Sequence, residues 1–311
     1  MRSIKRVSLC TLPSRIELLP DFPGIGDMWI KRDDRNAPVC GGNKVRALEF
    51  LLGEIRPGDT VVTIGGAGST HVLSTAIHAA RLGATTIAYR WRHDMNEVAD
   101  IVCRRIEEEI PDTRAAAGML VALGRAAITR MRSRVHFIPV GGSTPLGSLG
   151  HVNAALELSR QISDGAMAKP DRIVLPLGSG GTMAGLAVGF AAANLKIDLV
   201  GVRVGPRIVV GRRKVMRLAR ETAHLIAEAS GGDPIAVDSR CIRVDHRYFG
   251  GAYGRPLPAG ADAAATLLRR AGIRLDDTYS AKAFAAAKDA AQDLGGTTLF
   301  WLTFDARCLT R

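Results

Sequence analysis

Cysteine is scarce and scattered in this chain. Its five cysteines, Cys10, Cys40, Cys103, Cys241 and Cys308, are odd in number and form no Cys-x-x-Cys pair. That excludes a disulfide framework and a structural zinc site, and it fits a reducing cytoplasm. The seven histidines show neither His-Glu-x-x-His nor another ligand spacing, so no metal is expected. No apolar run reaches the length of a membrane span. The opening Met1-Arg2-Ser3-Ile4-Lys5-Arg6-Val7 is followed by only a short apolar segment, so no targeting signal is expected either. Aromatic residues are 5% of the total, and acidic residues fall short of basic ones, 30 against 42, for a net charge of +12. A basic chain can bind nucleic acid, but that reading needs a concentrated patch. Here the basic residues are spread out, and the densest runs, Arg125 to Arg134 and Arg203 to Arg220, read as solvated helix faces. Attraction of an anionic substrate or cofactor uses the charge more economically than a nucleic acid or a membrane does.

What is present is an alternation of buried strands and helices. At 311 residues and 47% hydrophobic content, the chain can build one large domain or two medium ones. Ile16 to Leu19, between Pro13 and Pro20, reads as a lead-in strand or loop, and Met28 to Asp34 as a short strand. Asp59 to Ile64 is rich in β-branched residues and reads as a strand. A glycine loop, a helix from Val72 to Leu82 and a strand from Thr85 to Tyr89 follow. This βαβ unit predicts a parallel sheet. Glu97 to Ile110 and Thr113 to Met131 read as helices, Arg134 to Val140 as a strand, and Leu149 to Ile162 as a helix. A second βαβ unit runs from Arg172–Leu177 through a glycine loop and the helix Met183–Asn194 to Leu199–Val204. The remainder alternates the same way and closes on a strand, Leu299 to Thr303. No fixed-period repeat interrupts it.

Three loops carry the chemistry. In Gly41-Gly42-Asn43-Lys44 a lysine follows a tight turn and opens an amphipathic helix with Val45, Leu48, Leu51 and Leu52 on one face. Asn43 is placed to cap that helix. Lys44 would then sit where the helix dipole disfavours a cation, which depresses an amine's pKa and makes it a nucleophile. An ordinary turn with an exposed lysine has the same local sequence. Gly178-Ser179-Gly180-Gly181-Thr182 lies between a strand and a helix, where backbone N–H groups cradle a phosphate. It lacks the Gly-Lys-Ser/Thr of a P-loop and the spacing of the dinucleotide fingerprint, and no acidic residue ends the next strand. A smaller phosphorylated ligand is the better fit. Gly65-Gly66-Ala67-Gly68-Ser69-Thr70-His71 is a second anion-ready loop, suited to a carboxylate, with His71 as a base or hydrogen-bond donor. A Schiff-base lysine, a phosphate cup and a carboxylate loop together point to pyridoxal 5′-phosphate.

The motifs, taken together, resemble the fold-type II pyridoxal-phosphate enzymes, specifically the 1-aminocyclopropane-1-carboxylate deaminase and D-cysteine desulfhydrase family. The matching pieces are Gly41 to Lys44 with Arg46 and Leu48-Glu49, the Gly65 to His71 loop, and Gly141-Gly142-Ser143 with Gly147, Leu149 and Gly150. Gly178 to Thr182 with Gly185, Tyr253-Gly254, Tyr279-Ser280 with Lys282-Ala283, and Leu299-Phe300 to Thr303 complete them. The resemblance implies an α/β fold like that of the tryptophan synthase β chain, with parallel-rich sheets and helices on both faces. A large cofactor domain (1–50 plus 145–311) would carry a small inserted domain (51–144), usually in a homodimer. By the same resemblance Lys44 would carry the cofactor and later act as the base on the substrate Cα proton, with Asn43 beside it. Gly178, Ser179, Gly180, Gly181 and Thr182 would hold the phosphate. Ser69, Thr70 and His71 would take the substrate carboxylate and touch the ring hydroxyl. Tyr253 and Tyr279 would be active-site tyrosines, and Ser280 would lie beside the pyridine nitrogen.

The departures bear on the reaction. Thr70-His71 replaces the usual asparagine and its follower, Ser280 stands where deaminases place a glutamate, and Phe304-Asp305 replaces an expected Gly-Gly. A serine leaves the ring a weaker electron sink than a carboxylate does, which suits eliminations. The expected function is a lyase of small amino acids of D-cysteine desulfhydrase type. A deaminase of the cyclopropane amino acid and a biosynthetic β-replacement enzyme are the competing enzymatic readings. A cofactor-binding or nucleic-acid-binding protein without turnover is the competing reading outside enzymes.

Overall fold

The computed structural model describes residues 4–19, 27–131, 134–207 and 210–309. Pro20, Met1 to Ser3 and parts of both arginine-rich runs lie outside them. The chain begins with β1 (Ile16–Leu18), β2 (Met28–Arg32) and α1 (Asn43–Leu51). It continues through β3 (Thr60–Gly66), α2 (Thr70–Arg81), β4 (Thr85–Trp91), α3 (Glu97–Glu109), β5 (Asp112–Ala116), α4 (Met119–Thr129) and β6 (Val135–Ile138). Then come α5 (Pro145–Ser163), β7 (Arg172–Leu177), α6 (Gly181–Ala192), β8 (Asp198–Arg203), α7 (Arg212–Ser230) and β9 (Ile242–Asp245). It closes with α8 (Pro258–Ala271), α9 (Ser280–Leu294) and β10 (Thr298–Leu302). The strands form two sheets, one of order β1-β2-β10-β7-β8-β9 and one of order β5-β4-β3-β6. Every pairing between these strands is parallel except β1 with β2.

One element departs from the sequence expectation. The sequence predicts a single helix from Thr113 to Met131, yet Asp112–Ala116 is the edge strand β5, in register with Ile87–Trp91. Arg114 is held across this edge by Asp112, at 2.6 Å from both guanidinium ends, and by the Tyr89 hydroxyl at 3.0 Å. The alanines there have good helix propensity, but a free sheet edge offers backbone partners that propensity alone does not register.

Two packing features aim the site. Gly185 and Gly189 on α6 let it lie close against α5. A Cβ on Gly189 would come within 2.6 Å of the Ala155 Cβ, and one on Gly185 within 2.5 Å of the His151 Cβ. This close approach brings the N-terminus of α6 to the end of β7 and puts His151 under Thr182, with Nε2 at 3.4 Å from its hydroxyl. The second feature is a buried ion network beneath α1. Arg46 meets Asp33 at 2.6 Å and Glu157 at 3.0 Å, Lys31 meets Glu157 at 2.6 Å, and the Trp301 indole N–H donates to Asp33 at 2.8 Å. Burial by itself would raise the Asp33 carboxyl, but Arg46 outweighs it and holds that carboxyl below its usual range. Removing one partner of such a network typically costs about 3–5 kcal/mol. The network fixes the rotation of α1 two residues beyond Lys44.

Candidate active site

Lys44 enters the site from the first turn of α1. The residue before that helix is Gly42, whose φ of 102° places it in the region that favours glycine and whose Cβ position is taken by the Thr303 carbonyl. Asn43 does not cap the helix. It is the first helical residue, and its amide donates instead to the Thr182 hydroxyl at 2.8 Å, tying the lysine turn to the second glycine loop. The turn is held from the C-terminal segment as well. The Asn43 N–H donates to the Thr303 carbonyl at 3.1 Å, and the Gly41 N–H donates to the Asp305 carboxylate at 2.8 Å. Asp305 is in turn clasped by Arg307 at 2.9 Å. The Phe304-Asp305 departure is thus a brace for the lysine turn, with Phe304 packed among residues of α2 and α3.

The Lys44 amine faces a cavity of about 550 Å³ that also meets both glycine loops, Tyr253 and Tyr279. It lies 3.5 Å from the Gly141 carbonyl, and among the described residues no carboxylate pairs with it. Burial lowers its pKa from 10.5 to about 8. The expected direction is found, and desolvation by burial is its cause. Across the cavity, Gly180 has a φ of 98° and precedes α6, whose N-cap glycine offers no side chain of its own to the first turn. Ser143 completes this loop: its hydroxyl donates to the Ser179 hydroxyl at 2.6 Å and accepts the Gly181 N–H at 3.1 Å. A Cβ on Gly181 would lie 2.7 Å from the Ser143 hydroxyl. Gly178, Ser179, Gly180, Gly181 and Thr182 all border the cavity.

The first glycine loop is built differently. Ser69 caps α2, accepting the Val72 N–H at 3.5 Å, and Ser69, Thr70 and His71 border the cavity. His71 is buried with Nε2 at 3.3 Å from the Thr63 hydroxyl. Burial, then the nearby Lys44 charge, lowers its pKa to about 3. His71 is therefore neutral near pH 7 and a weak base, which removes it as a general base and leaves a hydrogen-bonding role. Tyr253 and Tyr279 share a hydroxyl–hydroxyl hydrogen bond, with ring centroids 5.9 Å apart. Burial pushes Tyr253 up to about 12 and Tyr279 well above its usual value, so both stay protonated.

Ser280 is the one expected site residue that does not border the cavity. It opens α9 fully buried, one residue past Tyr279. Its backbone N–H donates to Asp276 at 3.0 Å. Its hydroxyl has no hydrogen-bond partner among the described residues; the Asp276 carboxylate lies beside it without meeting that geometry. Residues that the sequence did not single out also shape the cavity: Ser143 by role, Trp91 from β4, His93 from the segment after it, and Met119 and Leu123 from α4. Ser143 follows two glycines at a strand end, a readable sign. The others come from segments with no local motif.

These features define a site of the pyridoxal-phosphate class. The residues fit that cofactor: a desolvated amine with no carboxylate partner among the described residues, and across the cavity a glycine and serine loop at a helix start. Residues 10–303 match the family model "Pyridoxal-phosphate dependent enzyme", and the chain belongs to that family. Its cofactor is pyridoxal 5′-phosphate, and it is an enzyme. The chain is 36% identical over 326 residues to nocardicin C-9′ epimerase of Nocardia uniformis subsp. tsuyamanensis, covering 99% of this chain and 94% of the relative. It is 33% identical over 302 residues to D-cysteine desulfhydrase of Salmonella paratyphi A, covering 91% and 88%. A solved structure described as an ACC deaminase homologue superposes with a TM-score of 0.80 at 30% identity, covering 97% and 92%.

Proposed function

We propose that the protein is a lyase acting on a small amino acid, cleaving the bond between Cβ and its substituent as a D-cysteine desulfhydrase does. The observation that carries this reading is the Lys44 amine, desolvated to a pKa of about 8 and facing the Gly178 to Thr182 loop at the start of α6 across one cavity. When bound, the cofactor supplies an electron sink for the pair released at the substrate Cα. Lys44 would be its covalent anchor and Gly178 to Thr182 with Ser143 would hold its phosphate, whereas Ser280, buried off the cavity, is left without the ring contact that the resemblance implies. Lys44 Nζ would take the Cα proton of the bound amino acid; at a pKa of about 8 a useful fraction is neutral near pH 7. Ser69 and Thr70 receive the substrate carboxylate at the start of α2. Of the protonated Tyr253–Tyr279 pair, the hydroxyl that accepts its partner's proton keeps its own free to donate to the departing sulfur.

A second reading has support from the relative at 36% identity, which is named an epimerase. It shares the Lys44 step and differs in returning a proton to the opposite face of Cα. Deamination of the cyclopropane amino acid and β-replacement also begin from an amino acid held at Lys44, and product analysis separates them from elimination. We further propose that 51–144 forms an inserted domain between 1–50 and 145–311, because its strands pair only with one another. A cytoplasmic homodimer completes the proposal. Its support is the set of unpaired cysteines, the absence among the described residues of any helix long and apolar enough to cross a membrane, and the habit of the resembled family.

The test is direct. Purified protein given pyridoxal phosphate should turn yellow, and Lys44→Ala should not. Incubation with D-cysteine, L-cysteine and the cyclopropane amino acid, with assays for sulfide, pyruvate and 2-oxobutyrate, ranks the eliminations. Deuterium uptake at Cα with inverted configuration and no pyruvate would replace elimination by epimerisation. A colourless protein would overturn the assignment of Lys44.

A further inference from the structure

His93 belongs to no motif, yet it touches both halves of the site. It follows β4 and borders the cavity. Its Nδ1 lies 2.7 Å from the Asp94 carbonyl, which can only accept, so Nδ1 carries the proton. Nε2 then presents a lone pair, and it accepts the Gly68 N–H at 3.3 Å. Gly68 stands in the middle of the loop that carries Ser69 to His71. The other side of the same ring meets Tyr253 edge-on, with centroids 4.9 Å apart at 72°. Gly66 leaves room for this ring: a Cβ there would lie 2.8 Å from Nε2. The segment after His93 is anchored to the tyrosine side as well. Asn96 donates to the Gly254 carbonyl at 2.8 Å and to the Thr278 hydroxyl at 2.9 Å, and Asp94 pairs with Arg255 at 3.2 Å.

We propose that His93 is a positioning residue of the active site: it spaces the carboxylate loop from the Tyr253–Tyr279 pair by accepting the Gly68 N–H while stacking on Tyr253. The proposal rests on the reading of this cavity as an amino-acid site. Its mechanism is separable from that reading. A neutral ring with the proton on Nδ1 satisfies a loop N–H that would otherwise face the cavity, so the loop amides and the tyrosine ring keep one relative placement. Packing alone would need only an aromatic ring at this position, whereas positioning needs the acceptor.

Two variants separate these roles. His93→Phe keeps a ring and loses the acceptor, and His93→Gln keeps an acceptor near the place of Nε2 and loses the ring. On the cofactor-loaded protein, hydrogen exchange of the segment 65–71 should quicken about tenfold in H93F and stay near wild type in H93Q. Titration of the cofactor band with D-alanine, which has no leaving group, should show an apparent Kd raised about tenfold in H93F, with cofactor affinity unchanged. Unchanged exchange in H93F, or equal quickening in both variants, overturns the positioning role. If D-alanine, D-cysteine and L-cysteine all fail to shift the wild-type band, the amino-acid reading falls, while the exchange measurement still decides the role of His93.

Discussion

The two glycine loops look alike as sequence and are opposite as structures. Each follows a parallel strand and leads into a helix. In the first, the glycines are there for crowding. Gly65 is hemmed in by Val72 and Ser69, Gly66 by His93, and Gly68 by the Ala99 backbone, and Ser69 caps the helix that follows. In the second, Gly178 meets little, its nearest neighbour being a Tyr279 ring carbon at 3.5 Å. Gly180 turns through a φ of 98°, and the first helical N–H, of Gly181, is met by Ser143 from outside the loop. The first is a packed wall that brings side chains to the cavity; the second is a turn that brings backbone to it. Glycine content reports both conditions with the same letter, because a missing Cβ serves close packing and anion access equally.

That contrast can be broken by substitution. Gly178→Asp should have the largest effect. It meets no steric obstacle, but it places a carboxylate where the phosphate is proposed, so cofactor affinity should fall about a hundredfold while cofactor-free thermal stability barely moves. Unaltered affinity in a fluorescence titration would put the phosphate elsewhere. Gly68→Ala should behave in reverse. Its Cβ would press on the Ala99 backbone, at 2.7 Å from Cα, for a loss of about 1–3 kcal/mol in urea unfolding and a smaller change in cofactor affinity.

A third experiment sharpens what the cradle faces. The Lys44 amine has a folded pKa lowered to about 8, so its neutral fraction grows with pH up to that value and then saturates. The rate at which cofactor-free protein turns yellow should therefore climb about tenfold per pH unit below the pKa and level off above it. A rise that continues toward pH 10 would show the amine to be solvated. The smallest effect is expected from Ser69→Ala, which removes a helix cap worth about 1 kcal/mol and should raise KM more than it lowers kcat.

Much of this site is legible in the sequence because it is local. Lys44, the Gly178 to Thr182 loop and the Gly65 to His71 loop each announce themselves within a few residues, and the βαβ order places loops at strand ends. Other features need the third dimension. Asn43 has the sequence position of a cap, yet it reaches the Thr182 hydroxyl 139 residues away. His71 has the residue type of a base, but burial beside Lys44 lowers its pKa to about 3. The strand at Asp112–Ala116 is masked by helix-forming alanines, and only the edge offered by β4 reveals it. Phe304-Asp305 reads as the loss of a pocket wall, and folding turns it into a support for Gly41.

The sequence by itself determined the class of this protein: alternating strands and helices, a lysine after a glycine turn, and anion-ready loops in an order that belongs to pyridoxal-phosphate enzymes. These are properties of short segments, set by backbone freedom and side-chain periodicity. Tertiary structure alone decided which glycine loop is packed tightly, why the Lys44 amine holds its proton less firmly, and that His93 stands between the Gly65 to His71 loop and Tyr253. Those depend on desolvation and on contacts between distant segments, and neither is written in the residues nearby.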